Sequence, residues 1–232
     1  MVNVVCLKWG AKYGPEYVNR LFYAVERNTT VPFTFYCFTD DPKGLDEEIK
    51  HKPLKYTNIN SWWNKLYLFS QETELEGRVF FLDLDTLITG NIDHMLTCNH
   101  EFVVLHDVMW KVNPQLTPHD VGSAVMLWTA GNHSQIWESF KKDPHGISKK
   151  LHPHGDQKWI QQQEPNRAYW QDLFPGEIIS FKVDCEDKLP SAAKIICFHG
   201  RPSIPEAITQ TTKWGKKTIL PQKWITEVWT DK

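Results

Sequence analysis

The chain has 232 residues, with 26 Lys and Arg against 28 Asp and Glu and a formal charge of −2. That balance leaves no basic excess to neutralise a phosphate backbone, which argues against nucleic acid as a partner. No stretch approaches the ~18 uninterrupted apolar residues of a spanning helix, so no transmembrane segment is expected.

Roughly 70–75% of the unfolded surface should be buried in a chain this long, enough to fold without staples, so a bound metal would serve chemistry. Five cysteines stand at long spacings with no Cys-x-x-Cys pair, which predicts free thiols and a reducing, cytoplasmic setting. Residues 2–7 read as a buried strand, not a leader, because no basic segment or small-residue cleavage site accompanies them. Gly10 and Gly14 mark a turn, and Pro15 starts a helix whose Tyr17, Val18, Leu21, Phe22 and Val25 share one apolar face, ending near Asn28. The aromatic and β-branched run 33–38 is a second strand, stopped by Asp40-Asp41-Pro42, completing a βαβ unit. A helix opening at Ser61 carries Trp62, Trp63, Leu66, Leu68 and Phe69, and a third strand at 79–82 delivers Asp83. Strands follow at 102–106 and 124–128, helices at 133–141 and 155–163, and a last strand at 195–198. Strands alternating with helices predict a three-layer α/β domain with a mostly parallel central sheet, whose ligands bind beyond the carboxyl ends of the strands. The domain is placed at 1–205, with halves at about 1–100 and about 101–205. The tail, 206–232, sets Trp214, Trp224 and Trp229 against Lys213, Lys216, Lys217 and Lys223. It is expected to be a helix packing its tryptophans on the domain; contact with an anionic lipid surface or an extended acceptor is the alternative.

The segment with most chemical content is Phe80-Phe81-Leu82-Asp83-Leu84-Asp85-Thr86. Carboxylates at i and i+2 of an extended chain share a face, so both can reach one hard cation, and Mg²⁺ or Mn²⁺ fills its other positions with substrate phosphates. Alone, the pattern also reads as a polar strand terminus capping the next turn.

In its place after a βαβ unit, this motif resembles the Asp-x-Asp signature of GT-A-fold nucleotide-sugar glycosyltransferases, a Rossmann-like family. Ile195-Ile196-Cys197-Phe198-His199-Gly200 resembles the late His-Gly segment of the glycogenin-like retaining branch, which implies His199 as a third metal ligand beside Asp83 and Asp85. Gly122-Ser123 resembles the small-residue strand beside the donor sugar, and Asp156-Gln157 the pair opening the helix beneath it, implying catalytic-site roles for both. The resemblance further implies donor contacts from Lys65 on its helix, from Asp40 after the second strand and from Lys8 after the first. Gly200 would admit the diphosphate, and Arg201 would replace the family's usual lysine, since this chain continues Arg201-Pro202-Ser203. The implied activity is metal-dependent transfer of a hexose from a UDP-sugar, with retention, to an unknown glycan, protein or lipid acceptor. Inversion with Asp156 as base stays open.

Two other classes compete. Asp83-Leu84-Asp85-Thr86 also reads like the nucleophile loop of haloacid-dehalogenase-type phosphatases, with Asp83 as nucleophile, although that loop normally follows the first strand. A non-catalytic glycan-binding domain is compatible with 11 Trp. His152-x-His154 with His145 has no Cys or acidic partner at zinc spacing and reads as a loop.

Overall fold

The computed structural model describes residues 1–56, 59, 61–185 and 188–231. The chain begins as expected, with β1 (Val2–Lys8), α1 (Pro15–Arg27) and β2 (Phe33–Thr39). Pro15 sits in the first helical turn, where its missing N–H is no loss. The next strand, β3 (Lys50–Pro53), carries no apolar alternation and escapes sequence reading. It adds to the sheet edge by parallel pairing with β2, where a terminal proline and exposed lysines are tolerated.

Ser61–Phe69 is a 3₁₀ helix, not the α-helix expected there. The reason is packing: Trp63 through Phe69 are all buried, so the segment has no solvent face for a 3.6-residue period to display. Then come β4 (Arg78–Leu82), β5 (Thr86–Ile88), α2 (Asp93–Leu96), β6 (Phe102–His106), β7 (Val121–Thr129), α3 (Gln135–Phe140), α4 (Pro144–Leu151) and α5 (Gly155–Gln163). The short strands β8 (Ala168–Tyr169), β9 (Ile178–Ser180) and β10 (Ile195–Cys197) close the described α/β body.

The main sheet runs β3-β2-β1-β4-β7-β6-β8. It is mostly parallel, but β7 lies antiparallel to both β4 and β6. Alternate residues of β4 divide between two cores: Phe80 and Leu82 join α1, whereas Val79 and Phe81 join the 3₁₀ helix, α3 and α5. That alternation makes three layers, and each fully buried phenylalanine contributes about 1.5–3 kcal/mol.

The tail departs from expectation. In place of one helix it forms the short helix α8 (Ile204–Thr209), after α6 (Trp170–Leu173) and α7 (Phe181–Asp184), then a hairpin of β11 (Thr212–Trp214) and β12 (Lys217–Ile219), then α9 (Ile225–Val228). Gly215, at φ +59°, supplies the two-residue hairpin turn that breaks the helix. The tryptophans do pack on the body: the Trp229 ring lies 5.2 Å from that of Tyr17, and Arg20 sits 4.1 Å over it. Lys232 lies outside the described residues.

Candidate functional site

The site forms where β4, β7 and β10 release their ends beside α5. The amide of Asp83 donates to Ala124 O at 2.8 Å, and Thr86 Oγ1 donates to Asp83 O at 2.7 Å, fixing the turn between β4 and β5. Strand β5 pairs antiparallel with β10, Thr86 opposite Cys197, and Phe198 N donates to Asp85 O at 2.9 Å. Asp85 and His199, 114 positions apart in sequence, thus stand one residue before Thr86 and two residues after its register partner Cys197, and line the same cavity.

That cavity, about 330 Å³, is also lined by Lys65, Asp83, Gly122, Ser123, Asp156 and Gln157. Lys65 is its electrostatic centre. Its Nζ lies 3.0 Å from Asp83 and 3.5 Å from Asp156, and donates to Ser123 Oγ at 3.1 Å. Ser123 Oγ donates in turn to Asp156 at 2.7 Å. Burial works against the Lys65 charge, but Asp156 and Asp83 outweigh it and hold the ammonium above its ordinary range. Desolvation pushes the Asp83 carboxyl well up, Lys65 opposes this, and Asp85 adds to it. Burial also raises Asp85, against the hydrogen bond that Tyr13 donates.

His199 is lowered to about 4, first by burial and then by the nearby Lys182 ammonium, so its imidazole is neutral at neutral pH. Its Nε2 lies 2.6 Å from Ser180 Oγ, and its carbonyl accepts from Lys182. Gln157 donates to Asp107 at 3.2 Å.

Four predicted residues fall outside the cavity lining. Lys8 turns inward, its Nζ donating to Asp41 O at 3.1 Å, and Asp40 accepts from Gly10 N at 3.0 Å; both brace the turns that end β1 and β2. Gly200 takes φ +73°, and Arg201 points to solvent with Glu206 3.5 Å away.

No family model and no curated protein matches the sequence. Solved structures do. The galactosyltransferase LgtC, solved with donor and acceptor sugar analogues, superposes with a TM-score of 0.64 at 12% identity, over 98% of this chain and 95% of LgtC. An active-site mutant of LgtC gives 0.62 at 11% identity, over 97% and 94%. The glycosyltransferase GlyE from Streptococcus pneumoniae TIGR4 gives 0.59 at 13%, over 88% of this chain but 56% of GlyE. The chain has a GT-A-like fold.

Within that GT-A-like frame the donor set suits a hard divalent cation: two aspartates leaving one strand end and a neutral imidazole reach one cavity. Among the described residues no three His, Cys, Asp or Glu side chains already form a ligating group. Asp83 is engaged by Lys65 and His199 by Ser180, bonds that a shared ion would exchange for its own, while Tyr13 holds only the Oδ2 oxygen of Asp85, at 2.7 Å.

Sequence reading missed residues that the fold adds. Trp9, Lys12 and Tyr13 join Trp62, Lys65, Asp83 and Asp85 around an adjoining cavity of about 250 Å³. Their signal was positional: they lie in residues 9–13, directly after the carboxyl end of β1, where this sheet type places ligands. Trp9 and Trp62 are among the few exposed large apolar side chains, at 37% and 49%. Ser180 and Lys182 gave no signal, since only the β9–β10 pairing sets them beside His199.

Proposed function

We propose that the chain is a metal-dependent glycosyltransferase that takes a hexose from a UDP-sugar. The supporting observation is convergence: Lys65, the Asp83–Asp85 pair, Ser123, Asp156 and His199 come from five separate segments to one cavity of a GT-A-like fold. The named activities of LgtC and GlyE fit the same reading.

Asp83, Asp85 and His199 would hold Mn²⁺ or Mg²⁺, which when bound supplies positive charge for the departing nucleoside diphosphate. The chain's own residues do the rest. Lys65 keeps Asp83 and Asp156 in place. Trp9 offers a flat apolar face for the nucleobase beside the aspartates. Asp156, oriented by Ser123, accepts hydrogen bonds from sugar hydroxyls, and Gln157, which lines the same cavity, contacts the transferred sugar. Retention of configuration is the expected outcome, with an unknown glycan, protein or lipid as acceptor.

The test is release of UDP from UDP-glucose and UDP-galactose with Mn²⁺. Asp85→Ala should lower turnover by about 10²-fold or more, the scale of losing a preorganised charge stabiliser. Activity near wild type would remove the metal role. Hydrolysis of p-nitrophenyl phosphate abolished by Asp83→Asn would favour the phosphatase class instead.

A further inference from the structure

Trp62 lines three cavities at once: the two around the aspartates and a third of about 650 Å³. That third space lies within the ~300–1,000 Å³ typical of small-ligand sites. Its floor is aromatic, with the Trp63 and Phe140 rings stacked at 5.3 Å and 6° and the half-exposed Trp62 indole beside them. Its rim is polar. His145, Lys149 and His152 line it with side chains that make no hydrogen bond or ion pair among the described residues. Among the described residues no carboxylate lines it.

Trp62 is seated by built features. Gly155, at φ +70°, opens α5, and a Cβ there would come within 2.7 Å of the Trp62 indole nitrogen. Only glycine lets the indole approach the helix that carries Asp156. On the other side Ser61 takes φ +60°, a left-handed conformation that is strained in a residue with a side chain and sets the direction in which Trp62 leaves the backbone.

We propose that this third cavity is a carbohydrate subsite holding the acceptor saccharide, with Trp62 as the platform under one ring. The chemistry is that of sugar recognition. A pyranose presents C–H groups to a flat aromatic face and hydroxyls to a rim of donors, whereas an apolar peptide helix would leave that rim unpaired. The shared tryptophan joins this cavity to the one where the anomeric carbon reacts. The acceptor role rests on the glycosyltransferase reading; carbohydrate binding does not.

The experiment is an array of neutral oligosaccharides probed with the full chain without nucleotide, alongside UDP release from UDP-glucose and UDP-galactose with Mn²⁺. Ser148, half-buried on α4, lines only the third cavity, and Ser148→Trp fills it. His145→Ala, at an exposed position, removes a rim donor without threatening the fold and decides the matter should Ser148→Trp not fold. Expected are array binding by wild type, weaker by about tenfold in Ser148→Trp (roughly 1.4 kcal/mol) and measurably weaker in His145→Ala, with UDP release unchanged in both. Absence of array binding, or binding equal to wild type in folded variants, overturns the proposal. Array binding lost in the variants but no UDP release by wild type overturns the acceptor role through the enzyme reading, and leaves a glycan-binding cavity.

Discussion

The Tyr13 hydroxyl donates to Asp85 Oδ2 at 2.7 Å across 72 positions of chain. Tyr13 stands in the turn after β1 and Asp85 in the turn after β4, neighbours because β1 and β4 pair in parallel. The contact continues outward: the Tyr13 ring lies 4.8 Å from that of Tyr17, and Tyr17 lies 5.2 Å from Trp229 in the tail. Orientation of the second aspartate therefore depends on a residue outside the Asp-x-Asp motif.

Tyr13→Phe keeps the ring contact and removes only the hydroxyl. The loss of one charge-assisted hydrogen bond, about 1.5–3 kcal/mol, should weaken Asp85 placement without unfolding the protein. The expected result is a higher Mn²⁺ concentration for half-maximal UDP release, with melting temperature little changed. An unchanged Mn²⁺ dependence would show that Asp85 needs no outside positioning.

Lys65→Met should be a stability lesion. Lys65 and Asp156 have side chains 7% and 6% exposed, and removing the cation strands Asp156 without its counter-charge. Breaking a buried pair on one side costs about 3–5 kcal/mol. Asp83, 31% exposed, adds less because solvent screens it. Urea denaturation measures the loss, and adding Asp156→Asn should recover part of it, the signature of coupled groups.

Acid should weaken the fold partly through Asp120. Burial raises its carboxyl, but hydrogen bonds from Thr117 N and Lys158 outweigh this and lower it to about 2. A carboxyl held below its unfolded value of ~3.9 stabilises the fold above that value and loses the contribution as pH falls through the folded one. The stability gap between wild type and Asp120→Asn, read by urea denaturation, should therefore be full above pH ~5 and close between pH ~4 and ~2. A gap independent of pH would contradict the assignment.

Thiol reactivity should single out one cysteine. All five are free, and Cys6, Cys37, Cys185 and Cys197 are buried, whereas Cys98 is half-buried. Burial pushes the Cys6 and Cys197 thiols far up and Cys185 up to about 12. In native conditions a disulfide reagent should modify Cys98 first, leaving the others until denaturant is added, as thiolate availability requires. Rapid native modification of several thiols would contradict this core.

Elements with local signals were legible in the chain alone. Hydrophobic runs marked β1, β2, β4 and β10, apolar spacing with Pro15 marked α1, and the Asp83–Asp85 pair stood out as strand-end chemistry, whereas Gly122-Ser123, Asp156-Gln157 and His199 were singled out by their resemblance to glycosyltransferase motifs. These signals survive because side-chain period and turn chemistry are set by neighbours in sequence. Tertiary structure decided the rest. It drew Ser61–Phe69 into a 3₁₀ helix because seven consecutive buried residues leave no amphipathic face, added β3 through edge pairing alone, and turned the tail into a hairpin at Gly215. It also chose the partners: Ser180 for His199, Tyr13 for Asp85, Lys65 for Asp83 and Asp156. Those pairings depend on which strands lie side by side and on how deeply each charge is desolvated, quantities that arise only when segments far apart along the chain are packed together.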